Sequence, residues 1–356
     1  MHHLKRRVGV CILAYHADFF KYAKSMKLKN ALCALICTPL FALLPACKPA
    51  SSASTSAAPQ ASAPPITPTH SNLAYAGTTN PAQMLDLYLP TATVQPVEHK
   101  RRPLVLFIHG GAWMVGNKAW MSGGTHMQLE QLLRLLLDNG YAVASVNYRL
   151  IPEGVFPAPI HDIKASLRYL RAHAAELGID SERIAVAGES AGGHLAQLLA
   201  VSAGEPSLEG TLGNVTFSSA VKAAISYYGI ADLRHLPAER AAQGCPNPWG
   251  YDPNKPHEAE YGLLGGGALD TPERQQQALR ASPIHYVSAG DPPMLLLHGR
   301  QDCVVAYVQS QAMAAALQKA GVPSQLQLID AGHADAKFYT DPQLQSLVLG
   351  FLQKYL

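Results

Sequence analysis

Short runs of almost purely apolar residues recur along the chain and constrain its fold more than any other feature. Three of them are LVLFIH, RIAVAG and MLLLH. A strand covered by helices on both faces needs apolar side chains on both faces, so an unbroken apolar run is typical of a buried parallel strand. Strands are predicted at 84–89, 103–109, 142–148, 184–188, 223–228, 293–298 and 324–329.

Helical patterns alternate with these strands. They cover residues 127–138, 159–177, 192–202, 308–320 and 342–355. Alternation of strands and helices predicts an α/β fold with a mostly parallel central sheet and helices on both faces. Residues 233–282 break the rhythm with several prolines and a GGG run, and they contain no long periodic segment. This interval is predicted to be an insertion that forms a lid over one end of the sheet.

The amino-terminal region has the order of a secretory signal. From Met26 onward, two lysines precede an apolar stretch at 31–44, and small residues follow it. That stretch is shorter than the roughly 20 residues that a membrane-spanning helix needs. Met26 is therefore predicted to be the true start and 1–46 the signal region. LPAC, which ends at Cys47, resembles a bacterial lipobox and predicts a lipid anchor at a membrane surface. Ordinary signal cleavage nearby is the alternative.

Composition divides the rest of the chain into a tether and one domain. Residues 47–70 are rich in Ser, Ala and Pro and are predicted to be a disordered tether. A single catalytic domain is predicted over 71–356. The segment 1–46 carries seven Lys or Arg and one acid, so the remaining 21 basic and 24 acidic residues have a net charge of −3. Such a chain lacks the basic surplus that binds nucleic acid. Export to the bacterial cell envelope (periplasm or outer membrane) is expected, with secretion as the alternative.

GESAG follows the apolar run RIAVA and precedes a helical pattern, so Ser190 falls in a tight strand-to-helix turn. Such a turn exposes a serine hydroxyl, and the helix that follows directs its positive end toward the site. A serine that merely caps the helix is the alternative reading. The context favours a nucleophile.

A nucleophilic serine needs a base and a carboxylate that orients it. Where the serine lies in a strand-to-helix turn of a mostly parallel sheet, as predicted here, the chain order is serine, acid, histidine. Asp302 follows the strand MLLLH and His333 follows the strand LQLI, both at carboxyl ends. These two residues are predicted to complete a triad with Ser190. The competing carboxylates are Asp291, Asp330 and Asp335, and the competing histidines are His194 and His298, for which packing roles are expected.

Backbone amides are expected to bind the oxyanion of the reaction. Gly110 and Gly111 follow the strand LVLFI, and Ala112 comes next. Gly111 and Ala112 are the preferred donors and Gly110 makes the turn, while the amide of Ala191 completes the predicted oxyanion hole.

Cysteine spacing predicts no metal site, since no CxxC or HxxxH pattern occurs. After loss of the signal region, the chain would keep three cysteines: Cys47, Cys245 and Cys303. In an oxidising compartment Cys245 and Cys303 can pair, or both can remain free and buried. The sequence leaves both arrangements open.

Four motifs together resemble one family: HGGAW (109–113), NYRL (147–150), GESAGGHLA (188–196) and HGRQDCVV (298–305). They resemble the carboxylesterases of the α/β-hydrolase fold, in the feruloyl and acetyl-xylan esterase-like branch related to hormone-sensitive lipase. The resemblance covers about 72–356. It implies the α/β-hydrolase fold and a serine esterase with Ser190, Asp302 and His333 as triad. Ala112 replaces a third glycine of many relatives, which keeps the backbone donor but implies a narrower acyl pocket.

The predicted function is hydrolysis of carboxylic esters, of short-chain or acetyl and feruloyl type, through an acyl-enzyme. Neither a metal nor a cofactor is expected. The substrate is expected to be a small-molecule or polysaccharide-linked ester. Two alternatives remain: an amide hydrolase of formamidase or peptidase type with the same triad, and a catalytically inactive binding module.

Overall fold

The structure, a computed structural model, describes residues 66–91, 101–123, 127–245 and 259–356. The predicted signal region, Cys47 and the tether up to residue 65 lie outside these ranges. No helix in the described ranges is both long and apolar enough to cross a membrane.

One sheet holds the eight strands found in the described residues. They are β1 (His70–Ala74), β2 (Met84–Tyr88), β3 (Arg102–Ile108), β4 (Ala142–Val146), β5 (Ile179–Glu189), β6 (Ala223–Tyr227), β7 (Met294–Gly299) and β8 (Ser324–Ile329). Their order across the sheet is β1-β2-β4-β3-β5-β6-β7-β8. β2 is antiparallel to β1 and β4, and every other neighbouring pair is parallel. The predicted mostly parallel sheet is confirmed.

Helices follow most of the strands. They are α1 (Met127–Asp138), α2 (Ala158–Ala172), α3 (Ala191–Val201), α4 (Pro206–Glu209), α5 (Leu236–Ala242), α6 (Ala259–Leu263), α7 (Pro272–Ala281), α8 (Val308–Lys319), α9 (Lys337–Thr340) and α10 (Pro342–Tyr355). The interval predicted as a lid therefore contains α5, α6 and α7, and residues 246–258 within it lie outside the described ranges.

β3 shows why the apolar runs are unbroken. Leu104, Leu106 and Ile108 point to one face of the sheet and belong to a buried cluster that includes side chains of α2, α3 and α8. Val105 and Phe107 point to the other face and belong to a cluster with side chains of α1 and α10. Because successive side chains of a strand alternate between faces, both faces of β3 are covered by helices.

Most predicted element ends lie within about two residues of the observed ones, and three differences are larger. β1 was not predicted, because HSNLA is short and polar, and it places the sheet's start one residue before the domain boundary expected at 71. α2 ends at Ala172 instead of residue 177, since the chain turns there and the Ile179 amide bonds back to the Ala174 carbonyl. β5 begins at Ile179 rather than 184.

The strand order creates a crevice at the carboxyl edge of the sheet. From β3 the chain first moves to β4 on one side and later to β5 on the other. In sheets of this kind, ligands bind where the strand order reverses, beyond the carboxyl ends of the strands. The segments that follow β3 and β5 are therefore the first places to look for a site.

α3 approaches the end of β3 as closely as backbone allows. A Cβ on Gly192 would lie 2.1 Å from the Ile108 carbonyl oxygen and 2.5 Å from the His109 carbonyl oxygen. Those distances are far below van der Waals contact, and the obstructing atoms are backbone rather than flexible side chain. A side chain at position 192 would therefore force the helix away from the sheet.

We expect Gly192→Ala to reduce the free energy of unfolding by about 3 kcal/mol, because α3 must shift away from β3. Gly350→Ala is the matched control, since Gly350 lies in α10 and a Cβ there meets no atom within 4 Å. The free energy of unfolding of Gly350→Ala should rise by about 0.5–1 kcal/mol, because alanine favours a helix more than glycine does. Urea unfolding of both variants measures the difference, and equal effects would contradict the packing argument.

Candidate active site

Ser190 occupies the turn between β5 and α3. Its backbone has φ of 52° and ψ of −117°, a conformation that residues with side chains rarely adopt. The Ser190 amide donates a 2.9 Å hydrogen bond to the Tyr227 carbonyl of the neighbouring strand β6, which holds the strained turn in place. The turn brings the Ser190 hydroxyl to the carboxyl edge of the sheet, as a nucleophilic serine in such a fold requires.

A continuous chain of hydrogen bonds joins Ser190, His333 and Asp302. Nδ1 of His333 donates to Oδ2 of Asp302 at 2.6 Å. Nε2 of the same ring is then the acceptor for the Ser190 hydroxyl, 2.9 Å away. Asp302 follows β7 and His333 follows β8, so the structure brings together the three residues that the sequence singles out. This arrangement allows the imidazole to take the serine proton while the carboxylate holds the ring.

The Asp302 carboxyl is fully buried and fully hydrogen-bonded. Its Oδ1 accepts from the amides of Val304 and Val305 at 2.8 and 2.9 Å. Burial alone would raise the pKa of this carboxyl, but the charges and hydrogen bonds of His333 and His298 outweigh it and hold the pKa well below its usual range. Asp302 therefore faces His333 as an ionised carboxylate.

His298 contacts the acid, a role that sequence reasoning missed when it assigned this residue to packing. Its Nε2 lies 3.3 Å from Oδ2 of Asp302 and donates to the Val305 carbonyl at 2.9 Å. Its Nδ1 lies 2.7 Å from the Ser310 hydroxyl. His298 thus ties the loop that carries Asp302 to β7 and α8. The only sequence signal for this contact is that the histidine lies four residues before Asp302, near the end of the strand that Asp302 follows.

The predicted oxyanion residues surround the turn after β3 and the start of α3. The Gly110 amide donates to Oε1 of Glu189 at 3.4 Å. For the amides of Gly111, Ala112 and Ala191 we find no hydrogen-bond acceptor among the described residues. Ala191 is the first residue of α3, where the helix leaves its amide free. These three amides are available to an oxyanion.

The turn after β3 stores backbone strain. Gly111, Ala112 and Trp113 all have positive φ, of 96°, 56° and 57°. A left-handed conformation costs a residue with a side chain roughly 1–2 kcal/mol. The amides of Met114 and Val115 both donate to the Gly111 carbonyl at 3.0 Å and hold the turn. Because Trp113 is buried, it belongs to the core around the turn.

A separate cavity of about 430 Å³ opens beside this turn. Met114 and Gly116 contribute to its wall, together with residues of the segment after β4. None of Ser190, His333 and Asp302 lines it. The cavity is therefore distinct from the hydrogen-bonded triad.

The competing acids have local structural roles. The Asp335 carboxylate accepts from the Lys337 amide at the start of α9. Asp291 accepts from the Ser288 amide, and Asp330 is exposed. Each contact is one that a turn or helix start commonly needs. None of these carboxylates bonds to His333.

The segment predicted to be an insertion is bonded to the loop that carries Asp302. Cys245 and Cys303 form a disulfide with their Cα atoms 5.2 Å apart, so the arrangement that the sequence left open is the paired one. Nε2 of Gln243 donates to the Asp302 carbonyl at 2.8 Å. Nη1 of Arg240 donates to the Val304 carbonyl at 3.3 Å. The backbone of the acid loop is therefore held from the insertion as well as from the sheet.

His194, the competing histidine on α3, is buried, and its ring bonds to no triad residue. Its Nε2 donates to the Ala281 carbonyl at 2.7 Å, at the end of α7. Its ring packs edge-on against Trp113, with 5.2 Å between the ring centroids. Burial lowers the pKa of His194 to about 4, although the Ala281 carbonyl acts in the opposite direction. His194 is therefore a neutral core residue at ordinary pH.

The family profile named BD-FAE matches residues 85–317, more than half of the chain. The chain belongs to the BD-FAE family. Esterase LipQ of Mycobacterium tuberculosis is 33% identical over 242 residues, which is 66% of this chain and 51% of LipQ. Esterase LipC of the same organism is 32% identical over 264 residues, 71% of this chain and 57% of LipC. This BD-FAE member spans about half the length of the curated relatives that it matches.

Solved structures of esterases share its fold. A truncated carbohydrate esterase from gut microbiota has a TM-score of 0.68 and 28% identity, covering 80% of this chain and 95% of that chain. Thermogutta terrifontis esterase 2, phosphonylated by sarin, has a TM-score of 0.57 and 27% identity, covering 76% of this chain and 89% of that chain. This BD-FAE member has the α/β-hydrolase fold that the four sequence motifs implied.

The low pKa of His194 predicts how the stability of this BD-FAE member depends on pH. Between about pH 6.5 and pH 4 the unfolded chain binds a proton at this imidazole that the folded chain does not. The contribution of His194 to the free energy of unfolding is therefore complete above pH 6.5 and falls by about 3 kcal/mol as the pH drops to 4. We expect His194→Gln, whose amide can still donate to the Ala281 carbonyl, to show a smaller fall.

Urea unfolding at pH 7 and pH 4.5 measures this difference. His285→Gln is the control, because His285 is an exposed histidine and its loss removes no buried imidazole. An acid-induced loss of stability that is the same in His194→Gln and in wild type would contradict the assignment.

Proposed function

We propose that this BD-FAE member hydrolyses carboxylic esters through an acyl-enzyme on Ser190. The observation that carries the proposal is the unbroken hydrogen-bond chain from Ser190 through His333 to the ionised Asp302. A serine hydroxyl is a poor nucleophile until a base removes its proton, and this chain supplies an oriented base. The esterase names of LipQ and LipC support the same reaction class.

In the first half of the proposed reaction, Nε2 of His333 takes the Ser190 proton while Oγ forms a bond to the ester carbonyl carbon. The amides of Gly111, Ala112 and Ala191 donate to the oxygen that becomes negative. Asp302 stabilises the imidazolium that forms on His333. The tetrahedral intermediate collapses, the alcohol leaves with the proton from His333, and the acyl group stays on Ser190.

In the second half, His333 takes a proton from water as the water oxygen bonds to the acyl carbon. The same amides hold the second oxyanion, and collapse releases the carboxylic acid while the proton returns to Oγ of Ser190. For the substrate we propose a small-molecule or polysaccharide-linked ester. The structural likeness to a carbohydrate esterase supports the second of these.

We expect Ser190→Ala to lower kcat on p-nitrophenyl acetate by at least about 10⁴-fold, because the nucleophile is lost and the rest of the site remains. Ser346→Ala is the control, as Ser346 is an exposed serine on α10. An organophosphonate should add one covalent label to the wild type, on the peptide that contains Ser190, and none to Ser190→Ala.

Two results would overturn the proposal. Undiminished hydrolysis by Ser190→Ala would indicate that Ser190 is not the nucleophile. The chain would then be an inactive binding module, or hydrolysis would take place at an unrelated site. Faster cleavage of p-nitroacetanilide than of the matching ester would favour the amide hydrolase. Within esters, a series from acetate to octanoate, with acetylated xylan and methyl ferulate, identifies the acyl and alcohol groups that the site accepts.

Export with a lipid anchor at Cys47 is the second part of the proposal. The apolar stretch at 31–44 and the LPAC sequence support it. The disulfide between Cys245 and Cys303 also supports export, because disulfides persist mainly in oxidising compartments. The membrane surface is then a partner through the lipid alone.

We expect the full chain, expressed in a bacterium, to incorporate labelled palmitate and to enter the membrane fraction. Cys47→Ser should abolish both results, because it removes the acceptor thiol. Cys37→Ser, inside the apolar stretch, is the control and should keep both. Unlabelled, soluble wild type in the periplasm would indicate ordinary signal cleavage, and cytoplasmic wild type would contradict export.

A further inference from the structure

Glu189 immediately precedes Ser190 and is buried at the end of β5, with 4% of its surface exposed. The proposed mechanism gives it no role. We propose that Glu189 is a positioning residue. It holds the turn after β3 at a fixed distance from Tyr228 and Tyr339, the two tyrosines on the His333 side of the site. The inference rests on the proposed function, since it concerns how the same site is held.

One oxygen of the Glu189 carboxyl faces the turn after β3. Oε1 accepts the Gly110 amide at 3.4 Å. The side chain also packs against the backbone here, because a Cβ on Gly110 would lie 3.3 Å from Cγ and 3.3 Å from Oε1 of Glu189. Gly110 comes directly before Gly111 and Ala112, the proposed oxyanion donors. Movement of the Glu189 carboxyl therefore moves the segment that carries two of those donors.

The other oxygen faces the histidine side of the site. Oε2 accepts the hydroxyl of Tyr228 at 2.7 Å and the hydroxyl of Tyr339 at 3.0 Å. The two tyrosine oxygens are themselves 2.6 Å apart, so the three groups form one compact cluster. Tyr228 lies directly after β6, and its ring centroid is 4.8 Å from that of His333. Tyr339 lies on α9, the first helix after His333.

The chemistry of the cluster suits a rigid support. Burial, and secondarily the Glu189 charge, raises the pKa of Tyr228 and of Tyr339 well above the ordinary value, so both phenols keep their protons. Among the described residues we find no basic side chain in an ion pair with Glu189, and its hydrogen bonds come from one amide and two hydroxyls. Buried networks of this kind hold their members in one arrangement when every member is satisfied.

The position of the cluster connects it with catalysis rather than with stability alone. His333 must face Ser190 in the ground state and carry a positive charge in the transition state. At the same time the amides of the oxyanion hole must stay directed at the oxyanion. A displacement of about 1 Å between such groups costs about 100-fold in rate. Among the described residues, Glu189 is the one that bonds both to the turn after β3 and to the two tyrosines, Tyr228 and Tyr339, on the His333 side.

The test compares Glu189→Gln with Asp162→Asn, measuring kcat and KM on p-nitrophenyl acetate and the free energy of unfolding. Asp162 is the matched control because it is a buried carboxylate whose hydrogen bonds, to Gln83 and Arg149, involve no triad residue. We expect Glu189→Gln to lower kcat by about 10- to 100-fold with KM changed less than threefold. Asp162→Asn should lower stability and leave kcat within twofold.

Tyr228→Phe and Tyr339→Phe remove one hydroxyl each and keep the rings. We expect each to lower kcat, and each double variant with Glu189→Gln to lose less than the product of the single effects, because the groups act as one unit. The acid limb of the pH profile of kcat/KM should also shift in Tyr228→Phe, since this limb reports the base. If Glu189→Gln fails to fold, these two single variants decide the question.

The inference is overturned if the folded variants lose stability while kcat and the pH profile stay at wild-type values, since the cluster would then be structural only. Failure of the proposed function has a different signature. In that case Ser190→Ala keeps the wild-type hydrolysis, whatever the Glu189 variants do.

Discussion

The geometry of the site depends on the close approach of α3 to the end of β3. Gly192 lets the helix lie against the carbonyl groups of Ile108 and His109, and this contact places the serine turn beside the turn after β3. A wider separation would move the Ala191 amide away from the point at which Gly111 can also donate. A packing contact between two backbones therefore sets the distance between the proposed nucleophile and its oxyanion donors, before any polar group contributes.

Most of the sheet can be predicted from the sequence, because strands buried on both faces need apolar residues throughout. β1 cannot, since it is an edge strand with a single neighbour and its polar residues carry no strand pattern. The end of α2 is hidden for a different reason. The residues after Ala172 favour a helix, and what stops it is the turn that lets Ile179 bond back to Ala174. Tertiary contacts override local preference at both places.

The three triad residues are also predictable, because strand ends of a parallel sheet share one edge and the order of serine, acid and histidine follows the chain. The contacts that support them are not. Glu189 meets Tyr339, 150 residues later, and the pairing of Cys245 with Cys303 spans 58 residues. Such contacts depend on the register between segments that no short pattern relates. His298 is an intermediate case, since only its place near a strand end hints at its contact with Asp302.

The disulfide and the Gln243 hydrogen bond join the insertion to the backbone that carries Asp302. In many enzymes the segment that selects substrates can be exchanged without disturbing the reacting groups. Here the segment around α5 is joined to the loop of Asp302 by a covalent bond and a hydrogen bond, so a change in the segment is transmitted to that loop. Grafting or shortening the stretch around α5 would therefore also act on the backbone that carries the Asp302 carboxylate.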